Sequence, residues 1–161
     1  VKRVSLEEFA QILDELPGEL RDASVRGLQS AGSRYVGKVV EAIDTAEPHP
    51  AVDTGSLRQS VDKEDLGDGA VVAVNAPHAQ AIENGARPHF PPIEPLVRWV
   101  MRKGFAMDEE EARGIAFRVA KKMAEVGIAP RHYMAKSWRE VPQLVKDEID
   151  AELAALADRI G

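Results

Sequence analysis

The stretch Gln59-Ser60-Val61-Asp62-Lys63-Glu64-Asp65-Leu66-Gly67-Asp68-Gly69-Ala70-Val71-Val72-Ala73-Val74 decides the fold class of this 161-residue chain. Ala70 to Val74 is dominated by β-branched residues, which suit a pleated strand, and Asp65 to Gly69 brings glycines that accept the positive φ of a hairpin turn. Gln59 to Glu64 is then the partner strand. On both sides of this hairpin the apolar residues recur at steps of three and four, the period of a helix with one buried face. The expected architecture is therefore α+β: mainly helical, with a β-hairpin or small antiparallel sheet between long N-terminal and C-terminal helices.

Before the hairpin, Ser5-Leu6-Glu7-Glu8 has the spacing of a reciprocal helix cap, and Leu6, Phe9, Leu13 and Leu16 form a stripe that Pro17-Gly18 is expected to break. A second helix is expected from Glu19 to about Ala46, with Leu20, Ala23, Gly27, Ala31, Tyr35, Val39 and Ile43 on one face and an end at Pro48-His49-Pro50. Gly27, Gly32 and Gly37 lie inside it, and each costs up to about 1 kcal/mol relative to alanine, so a close-packed neighbour or a kink is implied.

After the hairpin, His78 to Asn84 reads as a short helix stopped by Gly85, followed by the irregular Arg87-Pro88-His89-Phe90-Pro91-Pro92. A further helix starts near Pro95, carries Leu96, Trp99 and Val100, and stops at Gly104. Asp108-Glu109-Glu110-Glu111 is another cap, opening a helix with Ala112, Ile115, Val119, Met123 and Val126 inward, ended by Gly127. The last apolar series runs from Met134 through Trp138, Val141 and Val145 to Ile160, with Pro142 expected to kink or split it near Val141.

Composition sets the outer limits. A chain of this length is expected to form a single domain spanning 1–161, and 44% apolar with 30% charged residues is ordinary for a folded, soluble protein. With no cysteine, thiolate nucleophiles, disulfides and Cys-ligated zinc are excluded. The first residues lack a signal-peptide core, and no apolar run reaches the ~20 residues that span a bilayer, so no membrane partner is expected. The net charge of -6 falls in one half: residues 1 to 80 carry 8 Lys/Arg against 14 Asp/Glu, and residues 81 to 161 carry 13 against 13. Tight DNA binding, which needs clustered cations to displace phosphate counterions, is disfavoured.

The reactive residue types do not assemble into a recognisable catalytic motif. His78, Glu83 and His89 are the best candidates for a metal-dependent hydrolase, but they lack the fixed helical offset of a His-Glu-x-x-His site. Thr54 and Ser56 beside Asp53 could be nominated as nucleophile and helper, yet a Thr or Asp before Gly-Ser more commonly caps a turn. Nucleotide-binding loops and the Gly-x-Ser-x-Gly elbow are absent, and no cofactor is expected. Trp99 and Trp138 fall on apolar helix faces, as core or interface anchors.

Three segments in order resemble the neck or tail-completion (head-tail joining) family of long-tailed bacteriophages, typified by the gene 10 product of the Hong Kong coliphage. The first is Val52-Asp53-Thr54-Gly55-Ser56-Leu57-Arg58-Gln59-Ser60-Val61, similar to that family's Asp-Thr-Gly, small residue, Leu-Arg and Ser before a strand. The second runs from Ala79 to Phe90, with Glu83, Gly85, Arg87, Pro88, His89 and Phe90 matching an acid, a Gly and an Arg-Pro-His turn. The third, Ala129-Pro130-Arg131-His132-Tyr133-Met134, resembles the Pro-x-x-aromatic opening of the family's C-terminal helix, with Tyr133 where Phe is commoner. The resemblance spans about residues 20 to 160 and leaves out the helix before Pro17.

The resemblance implies a structural virion protein rather than an enzyme, assembled in the host cytoplasm into a ring of identical subunits at the neck or the head-proximal end of the tail. Its partners would be further copies of itself, the connector or head-closure protein on one side and the tail-terminator or tail-tube protein on the other, with DNA passing through only passively. The motif residues Asp53, Thr54, Gly55, Leu57, Arg58, Ser60, Glu83, Gly85, Arg87, Pro88, His89, Phe90, Pro130 and Tyr133 are its candidate interface. The hairpin is expected to lend an edge strand or loop to a neighbour, and the Gly85 to Pro92 turn is the second expected contact. An intracellular adaptor that forms no ring is the alternative.

Overall fold

The computed structural model describes residues 6–47 and 53–160, with side chains in the first helix from residue 16 onward. Among the described residues the order is α1 (Leu6–Asp44), α2 (Ser56–Gln59), β1 (Val61–Leu66), β2 (Gly69–Val74), α3 (Ala79–Asn84), α4 (Ile93–Arg102), α5 (Glu109–Val126), α6 (Tyr133–Trp138) and α7 (Val141–Ile160). The mainly helical α+β class is as expected. The Ser5 cap and the stop at Pro48-His49-Pro50 lie outside the described residues.

The first expected break does not occur, because α1 runs 39 residues straight through Pro17 and reaches about 58 Å. A proline inside a helix removes one hydrogen bond and kinks the axis, but it need not end the helix when the apolar stripe on both sides stays in phase. Leu13, Leu16, Leu20 and Ala23 keep that phase at steps of three, four and three. At the C-terminal end Pro142 acts as expected: α6 stops at Trp138 and α7 starts at Val141, leaving Pro142 in the first turn, where a missing N–H costs nothing.

The chain divides into two compact units, the first comprising residues 1–42, 60–74 and 134–161 and the second residues 43–59 and 75–133. In the first unit α1 and α7 lie antiparallel. Gly27 lets them approach: a Cβ there would sit 2.8 Å from the Ile149 Cα. Arg26 pairs with Glu152 at 2.8 Å, Arg34 with Glu148 at 2.6 Å and Lys38 with Glu140 at 3.1 Å, a ladder that steps up one helix and down the other. Ser30 also donates to Glu148, and this bond, followed by the Arg34 contact, holds the carboxyl below its ordinary range. Tyr35 is buried, stacks edge-on with Trp138 at 5.7 Å and donates to the Met134 carbonyl.

The hairpin lies on α1 through Gly32, where a Cβ would be 2.8 Å from the Ala70 Cβ, and through Lys63, whose Nζ donates to the Gln29 carbonyl at 3.2 Å. The strands pair antiparallel from Val61↔Val74 to Leu66↔Gly69, so only Gly67-Asp68 remains to reverse the chain. Three expectations are corrected here. Gln59 ends the α2 turn instead of opening a strand. The turn is two residues, because strand pairing continues through Asp65 and Leu66. Neither Gly67 nor Gly69 takes a positive φ. Gly27 and Gly32 meet close neighbours as expected, whereas Gly37 has nothing within 4 Å.

In the second unit α4 packs on α5 around Val97, Val100, Ala106, Ala112 and Ala116, with Ile93, Leu96, Trp99 and Ile115 at the margin. Asp108 accepts from the Glu111 N–H at 2.8 Å, the expected cap, while Glu111 reaches back to the Met107 N–H at 2.9 Å, one residue before the cap residue itself. The buried centre of α5 is Ala112, Ala116 and Ala120; the expected Val126 is 61% exposed. Small side chains bring the two helix backbones together, which turns the inward face about one residue away from the larger aliphatics.

Candidate assembly site

The first motif forms a turn and a short helix. Thr54 Oγ1 accepts from the Ser56 N–H at 3.4 Å, Gln59 N donates to the Gly55 carbonyl at 2.9 Å, and Gly55 has φ 82°. The Thr54 hydroxyl therefore holds the turn that opens α2, the structural use anticipated for it, and donates to the Ser56 hydroxyl at 3.1 Å. Leu57 is buried, Arg58 pairs with Asp44 at 3.4 Å, and Asp53 pairs with Arg102 and lies 3.9 Å from Lys103. Ser60 falls in the other unit, at the entry to β1. The motif lines a cleft of about 450 Å³ together with Ile82, Trp99, His78 and Arg102.

The second motif and the segment that leads into and through the third are knitted together by backbone, between residues 42 to 49 positions apart. Ala86 and Ile128 exchange two hydrogen bonds of 3.0 and 2.8 Å, and the Arg131 and His132 N–H groups donate to the carbonyls of Ile82 and Glu83 at 2.9 and 3.1 Å. The fit leaves no room for side chains: a Cβ on Gly85 would lie 2.4 Å from the Ile128 oxygen, and one on Gly127 2.2 Å from the Ala86 oxygen. Both glycines have φ near 75° with extended ψ, a region essentially restricted to glycine. Pro130 is in the same knot, 3.0 Å from that absent Gly85 Cβ. His132 enters Tyr133 with φ 54°, unusual for a residue with a side chain.

Tyr133 anchors this knot. It is 1% exposed, its hydroxyl donates to the Ala79 carbonyl at 3.2 Å, and burial, with the Glu83 charge second, pushes its pKa up to about 12. Arg87, Pro88, His89 and Phe90 stand outward on the loop, with the His89 ring bonded to the Arg87 carbonyl at 2.8 Å. The Phe90 ring meets Phe117 of α5 edge-on at 5.8 Å, yet both remain more than half exposed. Sequence reasoning did not single out Phe117 or Arg102. The signal for Phe117 was available: it stands off the apolar stripe of α5.

His78, Glu83 and His89 do not come together as ligands, since among the described residues no group of three or more His, Asp or Glu side chains is placed to hold a metal. Among those residues, too, no helix is long and apolar enough to cross a membrane.

The second and third motifs thus form a packed scaffold. Residues 7–85 match the HK97-gp10-like family model, described as "Bacteriophage HK97-gp10, putative tail-component". Over that stretch the chain is similar to the HK97-gp10-like family, in agreement with the family its motifs resemble. The match takes in the first motif and the second as far as Gly85. It also begins ahead of Pro17, so the N-terminal turns excluded from the resemblance belong to it, as the unbroken α1 makes physically reasonable. No curated protein and no solved structure matches.

Proposed function

We propose that this chain is a structural subunit of a tailed-phage virion that forms a ring in the neck or at the head-proximal end of the tail, joining the DNA-filled head to the tail. The observation that carries this reading is the tail-component family match over residues 7–85. The knotted second and third motifs support it: within the second unit they hold the Arg87 to Phe90 loop on a fixed base, and repeated contacts in a closed ring require contact surfaces of fixed shape. Charge supports it as well. The first unit carries 11 Lys/Arg against 17 Asp/Glu and the second 10 against 10, so neither offers the basic excess that would hold DNA instead of letting it pass.

In this reading the neighbours are further copies of the chain, a connector or head-closure protein and a tail-terminator or tail-tube protein, with chemistry supplied by none of them. Cryo-electron microscopy of the intact particle is the direct test. Density for this chain in a ring around the DNA channel is the expected result; its absence from purified particles would overturn the assignment.

A further inference from the structure

Two surfaces of this chain complement one another. On the hairpin, alternation places Asp62, Glu64 and Leu66 of β1 on one face, with Val71 paired across from Glu64. This is the face turned away from α1, since Lys63 and Ala70 meet Gly32 on the other. Leu66 is 42% and Val71 47% exposed, and among the described residues neither Asp62 nor Glu64 makes an ion pair. An apolar centre flanked by uncompensated acids is thus left open.

The second surface is the Phe90–Phe117 pair, 52% and 55% exposed. From Ala112 to Ala124, α5 carries four cations and no acid. Arg113 is engaged with Glu94 and Glu109, but Arg118 and Lys121, exposed on the outer side of α5 beside Phe117, make no ion pair among the described residues. Here two aromatics are flanked by uncompensated bases. The spacings agree: Phe117 to Lys121 is one helical step of about 6 Å, and Leu66 to Glu64 one strand step of about 7 Å.

We propose that the outward hairpin face of one copy docks on the Phe90–Phe117 surface of the next, with Leu66 and Val71 against the rings and Asp62 and Glu64 against Arg118 and Lys121. This rests on the ring reading above and gives it a contact. The two patches differ, so the contact is head-to-tail and each copy offers one of each, the condition for a closed ring. It uses the face of the hairpin in place of the strand edge.

Because the chain has no cysteine, disulfide trapping tests the contact cleanly. Val71→Cys and Phe117→Cys proteins, each checked for native helicity, are mixed and oxidised, and native mass is read in parallel. A cross-linked dimer forming at least tenfold faster than in a control mixture of Val71→Cys with Lys146→Cys is expected. In a second measurement Glu64→Lys and Lys121→Glu should each weaken association about threefold to tenfold, and combining them should restore it. Oligomers that form while the cross-link stays at the control rate would overturn this contact and leave the ring standing. A protein that neither cross-links nor associates at its solubility limit overturns the contact too, and the particle density then decides the ring separately.

Discussion

The backbone of Gly85 lies so close to Ile128 that a Cβ on the glycine would fall 2.4 Å from the Ile128 carbonyl oxygen. Gly127 faces Ala86 in the same way from the other strand of the bridge. Gly85→Ala and Gly127→Ala each add a carbon against a backbone atom and force a strained φ. Each should cost about 2–4 kcal/mol, read as a lower urea midpoint with an unchanged slope. Loss below 1 kcal/mol would mean that the two motifs are not joined this tightly.

Tyr133 brings a pH dependence at the alkaline end. Its hydroxyl titrates higher in the folded chain, at about 12 against an ordinary 10.0, so the unfolded chain gives up the proton first. Stability from this group is complete below pH 10 and is lost as pH rises from there toward 12. Tyr133→Phe should remove that alkaline loss while costing about 1 kcal/mol at neutral pH through the missing bond to Ala79. Denaturation of both proteins at pH 8 and pH 11 checks the crossover.

Glu148 acts at the acid end with the opposite sign. Ser30 and then Arg34 hold its carboxyl below the ordinary 4.5, so its contribution is present above that value and lost as pH falls through the lower folded value. Glu148→Gln should lose less stability between pH 5 and pH 3 than the parent chain. Parallel acid titrations followed by circular dichroism measure this.

Glycines on helices should respond according to what faces them. Gly114 on α5 has nothing within 4 Å, and Gly114→Ala should stabilise the chain by about 1 kcal/mol through helix propensity alone. Gly27→Ala gains the same propensity but pushes against the Ile149 backbone, and a net loss is expected. Thermal melts of the two variants should move in opposite directions.

Much of the fold was legible because its signals are local. The Asp108 cap, the stop at Gly85, the split ahead of Pro142 and the buried face from Ala23 to Ile43 each depend on residues a turn or two apart. Pro17 misled because proline's cost is local, one lost hydrogen bond, and a 39-residue helix with backbone bonds on both sides absorbs it. The candidate site was legible only as motifs: Asp53-Thr54-Gly55 can be quoted from the sequence, but its partner Arg102, on a separate helix, cannot.

By itself, then, the amino-acid order determined most of the helices, the hairpin and the Asp108 cap, since these follow from periodicity and nearest-neighbour chemistry, and it carried the motifs on which the family resemblance rests. Only the tertiary structure decided that Gly85 and Gly127 bind two distant motifs into one knot, and that Phe90 and Phe117 share an open surface. Segments far apart in the chain meet only where their shapes and unpaired backbone groups fit. That fit depends on every element between them, and no window of neighbouring residues contains it.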